Sequence, residues 1–251
     1  MQDNTAMVQY HPEYNQYPDI IIVDEHNPTL RAPKAVLDLY MNQTRDTLAD
    51  PETFRNFIKS AERQFRASRE YKAYKSYLMD SLGLDRCQIL GNLSAEDVDI
   101  ELHHNVLGLY DIASIITLHM INTVGYINSM QLIQLLILEH YSNRVGVTFL
   151  SKTAHQIYTN DPNGYIPPDQ TFGRWWELLA NYKFGITFDI AYKVINYLKR
   201  YQNEMKVSIS LDQQEEILSW ASYNTYGDPM QYLPPMYEKN LGEEGDYYEY
   251  Q

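Results

Sequence analysis

The chain has 251 residues, a hydrophobic fraction of 44% and a net charge of −13 at pH 7. This length can bury a sizeable core, but no apolar segment is long enough to span a bilayer. The single cysteine, Cys87, excludes an intrachain disulfide framework and a CxxC zinc knuckle. Because the first residues lack the basic and apolar segments of a secretory signal, we expect a cytoplasmic protein.

The negative charge is concentrated at the two ends of the chain. Residues 1–52 carry nine acidic and three basic side chains, and residues 212–251 carry nine acidic and one basic. Residues 53–211 carry fifteen acidic and sixteen basic side chains. An acidic chain is unlike a simple nucleic-acid-binding protein, but the neutral middle leaves contact with DNA or RNA open.

The order of elements predicts an α+β fold that is mostly helical. Residues 1–34 are rich in Tyr, Pro, Asn and Gln, which is typical of an extended arm, with one short strand near Ile20–Val23. Helical periodicity covers Ala35–Thr47. A second helix begins after the N-cap Asp50 and is predicted to extend from Pro51 to about Leu82, before Gly83.

This second helix carries basic side chains every three or four residues, so that several share one side. They are Arg55, Lys59, Arg63, Arg66, Arg69, Lys72 and Lys75. One interpretation is a solvated helix face. The other is a surface that contacts phosphates. Its candidate nucleic-acid-binding residues are Arg63, Arg66, Lys72 and Lys75.

Beyond Gly83 the pattern changes from helical to extended and back. Strands are predicted at Cys87–Gly91, Val98–His103 and Val145–Leu150. Helices are predicted at Asp111–Val124 and Ser129–Tyr141, then in a short segment capped by Ser151 or Thr153, and then at Thr171–Tyr182, Thr187–Gln202 and Leu211–Ala221.

The histidines suggest where the chemistry lies, because five of the seven fall between residues 103 and 155. His103 and His104 end a predicted strand, and His155 lies in the short helix after the next strand. A metal ligand on a strand, a neighbouring general base and a further ligand on a helix are the parts of a ββα metal site. His119 and His140 lie on the two intervening helices, where we expect them to be structural.

Three segments resemble the HNH endonuclease family, most closely its phage-encoded members. They are CQILGN at 87–92, VDIELHH at 98–104 and NRVGVTFLSKTAH at 143–155. The resemblance implies a small ββα-metal core within a helical domain. It also implies hydrolysis of DNA phosphodiester bonds with one divalent cation, which could be Mg, Mn, Ni or Zn, in the host cytoplasm or the virion.

The resemblance also assigns roles to individual residues. His103 corresponds to the strand metal ligand and His155 to the helix metal ligand, so we expect their rings to converge. His104 corresponds to the general base, at a strand end where little packing is expected. Asn143 corresponds to the residue that orients this base.

Three departures from the family pattern bear on activity. Many members carry another His one turn after the helix ligand, where this chain has Thr159, so that Asn160 or Asp161 would have to supply a third ligand or the site would have two protein ligands. The segment between His104 and Asn143 is long and helical. The flanking Cys pairs of many members are absent.

The predicted organisation has five parts. They are an extended arm (1–34), a helical segment with a basic face (35–86), an HNH-like ββα core with a two-helix insertion (87–160), C-terminal helices (161–221) and an acidic, Tyr-rich tail (222–251). The two ends are not expected to form packed cores of their own.

Two functions remain open from the sequence. The first is an active metal-dependent endonuclease that binds DNA. The second is a retired HNH core that serves as a binding or structural protein, with protein partners contacted through the acidic, Tyr-rich ends. A third, a DNA-mimicking inhibitor, is disfavoured by the neutral middle of the chain. No membrane partner is expected.

Overall fold

The computed structural model describes residues 20–22, 31–33, 39–91, 93–160, 164–205, 216–217 and 219. The α-helices are α1 (Pro51–Ala67), α2 (Arg69–Ser76), α3 (Leu109–Thr123), α4 (Ser129–Tyr141), α5 (Lys152–Asn160), α6 (Trp175–Asn181) and α7 (Phe188–Met205). The strands are β1 (Ile20–Ile22), β2 (Arg31–Pro33), β3 (Gln43–Thr44), β4 (Ile100–His104), β5 (Tyr126–Ile127) and β6 (Val147–Ser151). The fold is α+β and mostly helical, as the sequence predicted.

A ββα unit lies at the centre of the chain. β4 pairs antiparallel with β6, from Ile100 opposite Ser151 to His104 opposite Val147. Helix α5 follows β6 directly and packs on both strands. All five residues of β6 are buried, because helices and loops cover both faces of the two-stranded sheet. The other strand pairs, β1 with β2 and β3 with β5, are also antiparallel.

The helices α3 and α4 are inserted between β4 and β6 and form much of the core. Most of α3 is buried, and α1 packs on both helices through Phe54, Ile58, Ala61 and Phe65, which recur on one side. The turn at Lys183–Gly185 packs so closely on α3 that a Cβ at Gly185 would lie 1.8 Å from the Ile115 carbonyl oxygen. None of the described helices combines the length and apolar character that a membrane span requires.

The predicted helix from Pro51 to Leu82 is two helices and a π-helical turn. Its start is confirmed, because the Asp50 side chain accepts a hydrogen bond of 2.7 Å from the Thr53 backbone N–H. Ser68 interrupts it with an extended ψ of 154°, and its hydroxyl caps α2 by accepting from the Tyr71 N–H. Gly83 follows the π-helical turn with a φ of +69°, which glycine adopts without strain.

Two predicted elements are wrong. In the described part of the predicted helix Ala35–Thr47, residues 39–47 form turns and the short strand β3, because Gln43–Thr44 pairs with β5. Cys87–Gly91 is a turn that the Gln88 N–H holds to the Phe149 carbonyl at 2.8 Å. The tail 222–251 lies outside the described residues, as does most of the extended arm and of the predicted helix Leu211–Ala221.

An ion pair with a buried carboxylate lies at the end of α4, and a tyrosine attaches it to the end of α6. Glu139 is only 1% exposed, and Arg144 donates to both of its carboxylate oxygens, at 2.6 and 2.9 Å. The Tyr182 hydroxyl donates a third hydrogen bond of 2.9 Å to the same carboxylate. A buried carboxylate needs these donors, because burial removes its hydration.

Removing the arginine should therefore destabilise the protein. We expect Arg144→Ala to lower the free energy of unfolding by about 3 kcal/mol, because it leaves a buried carboxylate without its cationic partner. The control is Arg174→Ala, which breaks the exposed Arg174–Glu177 pair and should cost less than about 1 kcal/mol. Equal losses in urea-unfolding experiments would contradict a structural role for the buried pair.

Candidate functional site

The two histidines that end β4 lie on opposite faces of the strand. The burial of β4 alternates, as the pleat of a strand requires, with His103 half-buried and His104 only 8% exposed. His104 therefore belongs to the core, and His103 belongs to the face that meets α5. The adjacent pair does not form one site.

His104 is hydrogen-bonded to a second buried histidine. Its Nε2 lies 3.0 Å from the Nε2 of His140, and the His140 Nδ1 lies 2.6 Å from the Leu136 carbonyl oxygen. A carbonyl only accepts, so the His140 Nδ1 carries the proton and its Nε2 accepts from the His104 Nε2–H. The aromatic side chains of Phe65 and Tyr74 close over His140, with ring centroids 4.6 and 5.4 Å away.

Burial keeps this pair neutral. It lowers the pKa of His140 to about 4, and burial together with the neighbouring His140 lowers the pKa of His104 well below its usual value. The expectation that His104 is a strand-end residue with little packing is wrong, because His104 is buried and packs on His140 of α4. The structural role expected for His140 is consistent with its position.

On the other face of β4, His103 and His155 come together. Their ring centroids are 5.0 Å apart and the rings are nearly perpendicular. Glu101, two residues before His103 on the same face, accepts a hydrogen bond of 2.5 Å from His155 Nδ1. The Glu101 and His155 side chains are 39% and 29% exposed. We call these three residues the Glu–His cluster.

The Glu–His cluster has the elements of an acid–base or ligand site. The Glu101 carboxylate accepts the hydrogen bond from His155 Nδ1 and so orients the ring, an arrangement that also occurs in metal-binding histidines. Burial, followed by the neighbouring side chains of His155, Lys193 and Arg66, lowers the pKa of His103 to about 4, so its ring is neutral at pH 7. Within the described residues, no group of three or more His, Cys, Asp or Glu is arranged to hold a metal ion.

Asn143 terminates α4. Its φ of 53° is left-handed, and its N–H donates to the His140 carbonyl at 2.9 Å, which is a common way to end a helix. Its own carbonyl accepts from the Arg174 N–H at 2.7 Å. Among the described residues, its side chain makes no hydrogen bond to His104, so the predicted orienting contact is not formed in this structure.

The remaining predicted site residues are dispersed. Asn160 is exposed at the end of α5, about 140° around the helix from His155, and Asp161 lies outside the described residues. Arg63, Arg66 and Lys72 are exposed on α1 and α2. Lys75 donates to the Ile100 carbonyl at 3.2 Å, which attaches α2 to the start of β4.

A family model for Bacteriophage G278-like virion proteins matches residues 20–224, which is most of the chain. The chain belongs to this family. Neither a curated protein nor a solved structure matches it. The G278-like family supports the expected phage origin and an association with the phage particle, while the HNH resemblance stays a prediction.

In this G278-like virion protein, sequence analysis overlooked Asn105 as a structural residue. Asn105 is 8% exposed, and its Nδ2 donates to the Ile166 carbonyl at 2.9 Å and to the Thr171 hydroxyl at 2.6 Å. It therefore connects the end of β4 to the loop after α5. Its partners are far away in sequence, so no local signal could have found it. Glu101 was detectable, because residues two apart on a strand share a face.

The neutral histidine pair should make the protein sensitive to acid. The pKa of His140 is about 4 in the folded protein and about 6.5 when unfolded, so the unfolded chain binds more protons between these values. We therefore expect stability to be fully present above pH 6.5 and to decrease as the pH falls towards 4, by up to about 3 kcal/mol for His140 alone.

Urea unfolding at pH 7, 6, 5 and 4 measures this effect. His140→Met should reduce the loss of stability on acidification, although it lowers stability at pH 7, because methionine does not titrate. His155→Gln is the control and should retain most of the pH dependence. A native protein that is equally stable at pH 7 and pH 5 would contradict the neutral buried pair.

Proposed function

We propose that this G278-like virion protein is a structural component of the phage particle that acts through contacts with other proteins. In this proposal the ββα unit serves as a packing core and does not hydrolyse phosphodiester bonds. The observation that carries the proposal is the hydrogen bond between His104 and His140. A general base must reach a water molecule beside the scissile phosphate, whereas His104 is only 8% exposed and lies within the core.

Two further observations support a structural role. The family is described as one of virion proteins. Asn143, which an HNH site would use to orient the base, instead ends α4 with its backbone in the left-handed region. The residues that the HNH resemblance assigns as the general base, His104, and as its orienting partner, Asn143, thus serve core packing and the end of a helix.

Several large apolar and aromatic side chains are exposed at the surface and can contact other proteins. Leu138 and Tyr141, three residues apart on α4, are each 51% exposed, and Trp176 on α6 and Tyr192 on α7 are 54% and 55% exposed. Aromatic side chains are enriched in protein–protein interfaces, because they bury a large area with little loss of conformational entropy. The tyrosines and acidic residues of the two ends of the chain are further residues for protein contacts.

The test separates a structural role from a catalytic one by removing the Glu–His cluster. The variant carries Glu101→Gln, His103→Ala and His155→Gln. It is supplied in trans to a phage from which the native gene has been deleted. We expect particles to form at the native titre and to contain the variant, as measured by plaque counts and mass spectrometry of purified particles, because none of these half-exposed side chains belongs to the core.

The matched control is His104→Ala, the neighbouring residue on the same strand. We expect it to lower the free energy of unfolding by about 2 kcal/mol or more, because it creates a cavity and leaves His140 unpaired, and to reduce the yield of particles. If the cluster variant folds and enters particles but these are not infectious, the cluster has a chemical function and the structural proposal is wrong.

A second candidate function, metal-dependent DNA hydrolysis as in HNH endonucleases, is favoured by one observation. The ring centroids of His103 and His155 are 5.0 Å apart on a ββα unit, and Glu101 orients His155. In this candidate the two imidazoles would hold one divalent cation, which supplies charge stabilisation at the phosphate. A base other than His104 would be needed, and the exposed basic residues of α1 and α2 would contact DNA.

Plasmid nicking by the purified full-length protein with Mg, Mn, Ni or Zn tests this candidate. If it is correct, nicking should disappear in His103→Ala. Glu101→Gln should raise the metal concentration needed for half-maximal nicking about 10–100-fold, as the loss of an orienting carboxylate does in other metal sites. His119→Gln, on the far helix α3, is the control and should nick normally. Absence of nicking with every metal would eliminate the candidate.

A further inference from the structure

A surface rich in basic side chains lies on α1 and α2. We call it the basic face, and its residues are Arg55, Lys59, Arg63, Arg66, Arg69, Lys72 and Lys75. Helices α1 and α2 carry seven basic and three acidic side chains, in a chain whose net charge is −13. Of these residues, Lys59, Arg63, Arg66, Arg69 and Lys72 are exposed.

The geometry of α1 separates this face from the core. Phe54, Ile58 and Phe65 are buried against α3 and α4. Arg55, Lys59 and Arg66 lie within about 40° of one another around the helix and roughly 100° from that buried side. Glu62, the acid between them, is half-buried, and burial raises its pKa. The basic face is thus a cationic surface that attracts anionic groups.

The same chain carries a segment of complementary charge. Residues 242–251, GEEGDYYEYQ, contain four carboxylates, three tyrosines and no basic residue; we call them the acidic tail. Tyrosine suits a surface rich in arginine, because guanidinium groups stack on aromatic rings as well as pairing with carboxylates. Four of the seven residues of the basic face are arginines.

We propose that the acidic tail docks on the basic face of its own chain. The described chain ends at Ser219, two residues after the buried Ile217. A flexible linker of the 22 residues between Ser219 and Gly242 would span about 23–28 Å, comparable to the length of α1. A tether of this length gives a local concentration near the millimolar range, so that weak ion pairs are enough for occupancy. Docking covers the surface that would otherwise attract nucleic acid. This docking does not depend on the proposed structural role in the phage particle.

Carbodiimide cross-linking of the full-length protein tests the proposal, since this reagent joins a carboxylate to a lysine in contact with it. We expect peptides that link the acidic tail to Lys59 or Lys72, at about tenfold the yield of links to the exposed Lys152 and Lys199, as a local contact requires. In 1 M salt the Debye length falls to about 3 Å, and the links to the basic face should fall to the level of the reference lysines.

Two matched triple variants remove three charges each. The test variant carries Arg63→Gln, Arg66→Gln and Arg69→Gln. The control variant carries Arg86→Gln, Arg174→Gln and Lys183→Gln. The first should reduce links to Lys72 about tenfold, as the loss of several exposed ion pairs implies, and the control should leave them unchanged. Circular dichroism verifies that both are folded, and the salt dependence of the native chain provides a test without any variant.

Three results would overturn the proposal. One is a yield of tail links to Lys59 and Lys72 no higher than to Lys152 and Lys199. Another is a dominance of mixed-label links when ¹⁴N and ¹⁵N proteins are combined, which would place the tail on a second copy. The last is equal affinity for duplex DNA in the native chain and in a chain with Glu243→Gln, Glu244→Gln, Asp246→Asn and Glu249→Gln, because a docked tail must compete with phosphates.

Discussion

β4 and β6 pair along their whole length, from Ile100 opposite Ser151 to His104 opposite Val147, although residues 105–146 separate them in the chain. The pairing holds the two ends of the α3–α4 insertion about 5 Å apart, so that these helices must fold back over the sheet. It also places α5 across the opposite side, since α5 begins at the residue after β6. The core, the Glu–His cluster and the position of α1 all depend on this register.

The histidine at the end of this ladder joins the sheet to the helices. His104 faces inward and is hydrogen-bonded to His140 near the end of α4, where Glu139 and Arg144 form the buried ion pair. Beside them, Asn105 binds the loop that follows α5. Because unsatisfied buried polar groups are costly, these networks favour one arrangement of α4, β4 and the following loop over alternatives that an apolar core alone would tolerate.

Because successive side chains of β4 point to opposite faces of the sheet, they have different roles. The inward face contributes His104 to the core, whereas the outward face presents Glu101 and His103 to His155 on α5. Membership of the G278-like virion family places the chain among proteins of phage particles. A virion protein can retain such a polar cluster at its surface without using it in catalysis, whereas the burial of His104 bears directly on the proposed role.

The sequence by itself determined the elements whose signals are local. The cap at Asp50, the length of α4 from Ser129 to Tyr141, the alternation of β4 and the α+β class all follow from hydrogen bonding and periodicity within a few residues. Local patterns also suggested that His103 and His155 would converge, through a resemblance in the order of elements. The break at Ser68 was overlooked because its neighbours share the helical period, although a serine that can cap a helix was visible there.

Only the tertiary structure decided what each polar residue does. Adjacent residues on a strand face opposite ways, but which side is the core depends on where α1 and α4 pack, and that packing buried His104 rather than His103. The partner of His104 lies on α4, and the partners of Asn105 lie beyond α5. Burial and hydrogen bonding are set by groups that are distant in sequence and close in space, and no pattern along the chain encodes that proximity.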